Sequence, residues 1–265
     1  MFKFFSNESE WDIFKSVIYS CEAIYTKSKK EQKLADKICN SIWNDNTDTR
    51  PDFITNDMMI EMFEVDDIVA KKKGRENPQR KADARALREV ERLIQQFPEG
   101  TFADDLKIIA HGDTRYNPKS DNFIPDDSVS HHNYRAYLSN FQRICQKHLN
   151  SVEAYRKNYP NKKLGFLIVD DSTFYITRKQ FQTNPISTKE AFLDYPFFDK
   201  NFMNLFITSK VDFVMWAFNN KYFYTSEFPH GEASPFPTVA LISKDNYYTR
   251  YSKYFDVNSM VSLEE

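Results

Sequence analysis

Apolar positions recur every three or four residues over 9–28, where Trp11, Phe14, Val17, Ile18, Cys21, Ile24 and Tyr25 share one side, and that period predicts an amphipathic helix. Asn7, with Glu10 three residues on, supplies a capping-box start. The run KKEQKLADKICNSIW (29–43) repeats the pattern through Leu34, Ile38 and Ile42 and predicts a second helix. The period then changes. RPDFIT and MMIEMFEV have strand composition and flank Asn56-Asp57, two residues that tolerate a tight two-residue turn, so residues 50–66 are expected to form a hairpin.

Beyond the hairpin, Gly74 to Pro78 marks a loop, and a helix is expected over 79–97 with Leu87, Val90, Ile94 and Phe97 on its apolar face. Residues 98–130 are rich in turn formers, with one candidate strand at LKIIAH, and 70–130 together look like an insertion. From 132 to 157, Tyr134, Leu138, Phe141, Cys145, His148 and Val152 predict one long helix that ends at NYPNKK. LGFLIVDD follows as a continuous apolar run, the pattern of a strand covered on both faces, with STFYITR as its expected hairpin partner. A helix near 188–206, a strand VDFVMWAF turning at Asn219-Asn220 into KYFYT, and a last strand PTVALIS complete the order. The expectation is a single α/β domain over 1–265: a mixed β-sheet flanked by helices, with a helical insertion at 70–130.

Bulk properties remove several classes of function. Of 265 residues, 41% are hydrophobic, enough for a large core, and Lys+Arg 36 nearly cancels Asp+Glu 38, so any cationic surface must be local. The glycines, at 74, 100, 112, 165 and 231, are too scattered for a phosphate loop or dinucleotide fingerprint. Cys21, Cys39 and Cys145 lack metal or redox spacing and read as reduced core residues of a cytoplasmic protein. The N-terminus lacks the pattern of a secretion signal, and no stretch is apolar for the roughly 18 residues that a membrane helix requires.

The hairpin carries the candidate chemistry. A two-residue loop at Asn56-Asp57 pairs Phe53 with Ile60 and therefore Asp52 with Glu61, on one face and with Cβ atoms roughly 5 Å apart. Two like charges so close need compensation, from a divalent cation, a basic neighbour or a shared proton. A hard cation such as Mg²⁺ suits one or two carboxylates completed by water and phosphate oxygens.

RPDFITNDMMIEMF resembles the core of the PD-(D/E)XK nuclease superfamily, the restriction-endonuclease-like fold, whose pattern is Pro-Asp, a short gap, then acid-any-Lys on the next strand. The order of helix, hairpin, helix and buried strand fits that family's α-β-β-β-α-β core if its first strand is unrecognised. The resemblance implies a Mg²⁺-dependent nuclease in which Asp52 and Glu61 are metal ligands, with Glu22 as the nearest candidate for a further acid. It departs at Phe63, which stands where the family has its lysine. The same register opposes Arg50 to Phe63, so a guanidinium from the neighbouring strand is the candidate replacement for stabilising phosphate, though a poor base. Either the cation has migrated or the protein is an inactive relative that binds nucleic acid or a protein partner; a homo-oligomer is also open.

In the inserted helix, Lys81, Arg85, Arg88 and Arg92 are spaced four, three and four, which forms one basic stripe. With Lys71, Lys72, Lys73 and Arg75 it offers a surface for a nucleic-acid backbone, or simply a solvated helix face. His111, Asp113, His131 and His132 fit no zinc spacing. Asp170-Asp171 more often begin a turn than a site. His148 reads as a core histidine with one hydrogen bond. The aromatic runs of 192–255 read as core, with base stacking as the functional alternative.

Overall fold

The computed structural model describes residues 9–19, 24–46, 49–67, 78–102, 114–117, 122–125, 133–179, 193–218 and 238–262. Its centre is a seven-stranded mixed sheet of β1 (Ile24–Thr26), β2 (Asn44–Asp45), β3 (Phe53–Ile54), β4 (Met58–Val65), β7 (Lys163–Asp170), β9 (Phe213–Phe218) and β10 (Val239–Ser243), in the order β1-β10-β9-β7-β4-β3-β2. β4, β7 and β9 run parallel to one another, while β3 is antiparallel to β2 and β4, and β10 is antiparallel to β9. Every residue of β9 and β10 is buried, and so is all of β7 except Lys163, as their unbroken apolar runs require.

Helices cover both faces. α1 (Glu10–Ile18) and α2 (Lys29–Cys39) set Phe14, Val17, Ile18 and Ile38 against Met58, Ile60, Leu167 and Met215. On the other face, α4 (Tyr134–Leu149), α5 (Val152–Asn158) and α6 (Lys200–Ile207) bury Tyr137, Phe141, Tyr155 and Phe202 against Phe63, Phe166, Ile168 and Trp216. Each large apolar side chain so buried contributes about 1.5–3 kcal/mol. Gly165 is needed on β7 because the Phe213 ring lies where its Cβ would be.

The architecture is therefore α/β, as expected, but several elements are shorter or paired differently. The expected helix over 9–28 ends at Ile18; Ser9 rather than Asn7 caps it, and Ile24–Thr26 instead pair with β10. β-branched and aromatic side chains in IYT favour that parallel ladder over a continued helix. The second helix stops at Cys39 with Asn40 as its cap, leaving Ile42 87% exposed while Trp43 turns inward and donates from Nε1 to the Ile38 carbonyl (2.9 Å). The expected helix over 132–157 is two, α4 and α5, broken at Asn150 and Ser151. STFYITR is not the partner of β7. Its β8 (Tyr175–Thr177) pairs with β11 (Met260–Ser262), a strand after the expected last one, since Asp170 caps a turn at Ser172 that carries the chain off the sheet.

Between β4 and α4 lie α3 (Pro78–Ile94) and a separate strand pair, β5 (Thr114–Asn117) with β6 (Asn122–Pro125). The segment 70–130 thus holds strands as well as a helix. LKIIAH, KYFYT and residues 188–192 of the helix expected near 188–206 lie outside the described residues; over 193–206 the expected single helix is instead a 3-10 turn (Pro196–Phe198) followed by α6. No helix among the described residues is long and apolar enough to cross a membrane.

Candidate functional site

Asn46 ties down the approach of residues 49–52 to the sheet. The Asn46 amide N–H donates to the Asp52 carbonyl (2.7 Å) and its Nδ2 to the Pro51 carbonyl (2.7 Å), and the Arg50–Pro51 peptide is cis. The turn at Asn56-Asp57 forms as the sequence predicts, with Phe53 opposite Ile60, Ile54 opposite Met59 and the Thr55 N–H on the Met58 carbonyl (2.8 Å). Lys37 pairs with the Asp57 carboxylate and Lys162 donates to the Thr55 and Asn56 carbonyls, so the turn is held from outside as well.

Asp52 and Glu61 lie one position beyond the last paired residues of this register, near enough for their charges to interact. Asp52 is 6% exposed, and its Oδ2 accepts from the Met62 N–H (2.7 Å), replacing a ladder bond where the β3–β4 pairing ends. Its pKa is pushed up to about 7, first by burial, then by the charge on Glu61, with Glu10 adding and the Met62 N–H and Arg50 opposing. Glu61, wholly buried in mid-strand on the face covered by α4 and α5, divides the work of its two oxygens. Oε1 accepts from Arg50 Nη1 (2.7 Å) and lies 2.8 Å from His148 Nδ1. Oε2 is buried with no hydrogen-bond partner.

Arg50 reaches Glu61 rather than the space beside Phe63. That space is taken by His148 of α4, whose ring stacks on Phe63 (centroids 4.4 Å apart, planes 14° from parallel). His148 is a buried histidine with one hydrogen bond, as its helical position suggests, but its partner is the candidate site itself. Tyr155 of α5 completes the surround. Its hydroxyl is buried next to Arg50 and Glu61 without a well-formed hydrogen bond, and burial together with the Glu61 charge pushes its pKa up to about 12. Tyr155 carries no motif signal; only its position, seven residues after His148 on the same apolar stripe, pointed inward.

The arrangement offers two carboxylates, one unpaired buried oxygen, one guanidinium and one imidazole. Among the described residues no group of three or more His, Cys, Asp or Glu side chains is arranged to hold a metal, so a cation here would have only Asp52 and Glu61 among them as ligands and would take the rest from water or phosphate. An orphaned carboxylate oxygen beside a carboxylate of raised pKa fits a hard divalent ion in that mode.

Other candidates are scattered. Arg88 and Arg92 stand exposed and Arg85 half-buried on α3, while the Lys81 side chain, Lys71, Lys72, Lys73 and Arg75 lie outside the described residues. So do Glu22, His111, Asp113, His131, His132 and Cys21. Cys39 and Cys145 are free thiols, half-buried and buried. Asp170 is a structural acid: Tyr137 and Trp216 donate to Oδ2, and the Ser172 amide (2.9 Å) and hydroxyl (2.6 Å) donate to Oδ1. Compared with protein-family models, with curated proteins and with solved structures, the chain matches none.

Proposed function

We propose that the chain is a nuclease-like protein of restriction-endonuclease-like core that acts on nucleic-acid phosphodiesters with Mg²⁺ held by Asp52 and Glu61. The observation that carries this is the division of labour on Glu61: Oε1 is fixed by Arg50 and His148, while Oε2 is left buried and unpartnered in the neighbourhood of Asp52. The succession α2, β2, β3, β4, α4, β7 supports it, since the two-residue β2 stands where the family's first strand is required. A bound Mg²⁺ supplies charge neutralisation and a more acidic water. Arg50, whose side chain is 53% exposed, pairs with the buried Glu61 while remaining open to solvent, which supports a role for it as a phosphate contact. Glu61 holds the His148 ring in one orientation against Phe63, so the volume of the family's lysine is filled by an imidazole from another element. The basic stripe Lys81, Arg85, Arg88 and Arg92 would follow the backbone of the nucleic acid. A cytoplasmic setting goes with this reading, in keeping with the free thiols of Cys39 and Cys145.

The test is cleavage of single-stranded and duplex DNA and RNA with Mg²⁺ or Mn²⁺. The parent should cut at least one of them, and Asp52→Ala or Glu61→Ala should lower the rate at least about a hundredfold. A parent inert on all of them sinks the reading.

A second reading rests on Phe63 and Arg50. With no lysine, and with a guanidinium already neutralising Glu61, the same residues describe an inactive nuclease-fold protein that binds nucleic acid or a protein partner. In that case Asp52→Ala and Glu61→Ala keep full affinity for nucleic acid, while Arg85→Ala with Arg88→Ala weakens it and flattens its salt dependence.

A further inference from the structure

Residues 244–255, KDNYYTRYSKYF, place Tyr248, Tyr251 and Tyr254 at every third position with Arg250 and Lys253 between them. These rings are 36%, 43% and 62% exposed. They do not stand out for want of anchoring. Tyr247 and Phe255 are buried at either end, Tyr247 donating from its hydroxyl to the Val211 carbonyl (3.0 Å). Between them the Ser252 N–H bonds the Thr249 carbonyl (3.0 Å), and Lys253 exchanges backbone bonds with Phe198 (3.1 Å) and Lys200 (2.9 Å). The three rings are therefore carried on backbone tied at several points.

Cations sit among the rings. Lys200 Nζ lies 5.1 Å from the Tyr248 ring centre and 5.6 Å from that of Tyr254, and the Arg250 guanidinium lies 4.6 Å from Tyr251. Of the acids nearby, Asp245 is neutralised by Lys30, while Asp256 keeps its charge and accepts from the Asn258 N–H (3.0 Å), one anion against four cations. Lys200, Lys244, Arg250 and Lys253 thus leave this surface with a positive excess.

We propose that this surface is a stacking site for single-stranded nucleic acid, with Tyr251 and Tyr254 as the platform for bases and Lys200, Arg250 and Lys253 as phosphate contacts. Exposed rings on an anchored backbone offer any base a π-face, and interleaved cations follow the nucleic-acid backbone. Paired bases cannot reach such rings, so a duplex is disfavoured. The site is independent of Asp52 and Glu61, and it is tested without metal so that failure of either idea leaves the other standing.

Binding of a fluorescein-labelled oligothymidylate and of a duplex of equal length is measured by anisotropy in EDTA. The single strand should bind at least about tenfold tighter than the duplex. Tyr251→Ala with Tyr254→Ala should weaken it about tenfold or more with the salt slope unchanged. Tyr251→Trp with Tyr254→Trp should restore affinity, and Arg250→Gln with Lys253→Gln should lower the slope by about 1.4. The proposal is overturned if the alanine pair, folded by its urea midpoint, binds like the parent, if the duplex is preferred, or if vesicles rich in phosphatidylserine bind the protein while the oligonucleotide does not.

Discussion

Asp170 and Glu61 are buried acids on the same face of the same sheet, at the end of β7 and the middle of the neighbouring β4. Four residues of strand, about 13 Å, separate their levels. At Asp170 both oxygens are saturated by donors from α4, β9 and the following turn, so the carboxylate acts as a junction for three elements. At Glu61 one oxygen holds two donors and the other none, and a second acid of raised pKa stands near. Burial alone therefore does not distinguish these two acids; the accounting of each oxygen's partners does.

The contrast has measurable consequences, beginning with the largest. Asp170→Ala should cost about 4 kcal/mol in urea unfolding, because it strands the Tyr137, Trp216 and Ser172 donors in the core. A loss under about 1 kcal/mol would erase the distinction. Asp52 works in the opposite sense. Its folded pKa of about 7 lies above the unfolded value of about 4, so between those pH values the unfolded chain has released a proton that the folded chain keeps. Stability contributed by this group is complete below about pH 4, declines as pH rises, and is gone above about pH 7. Asp52→Asn should then gain stability over the parent across that window, on the order of 3 kcal/mol at pH 8 and far less at pH 5, read from paired urea titrations.

Smaller effects sharpen the picture around Glu61. His148→Ala removes the stack on Phe63 and one of the two donors to Oε1, and should cost about 2 kcal/mol. Arg50→Ala should cost less than about 1 kcal/mol, since its side chain is 53% exposed and solvent screens the pair. Under the nuclease reading, Arg50→Ala nonetheless lowers cleavage about a hundredfold, a split between stability and rate that Asp170→Ala does not share.

Much of this was legible in the sequence where a pattern was local. The apolar runs of β7, β9 and β10 could only be buried strands, and Asn56-Asp57 set the register that brings Asp52 near Glu61. Elements that exist by long-range pairing were not legible. β2 is two exposed polar residues, Asn44 and Asp45, strand only because β3 lies beside them. β1 carries helical periodicity at Ile24 and Tyr25 yet joins β10, more than 200 residues on. Likewise, Arg50 could be foreseen near the acids because it shares their hairpin, whereas His148 and Tyr155 arrive from helices whose approach no local spacing encodes.

The brevity of β1 and β2 has a further result. Among the described residues they form the two borders of the sheet, with three and two residues respectively. A border that short exposes little unpaired main chain for a second polypeptide to extend, so the long buried strands are shielded from edge-to-edge growth into aggregates.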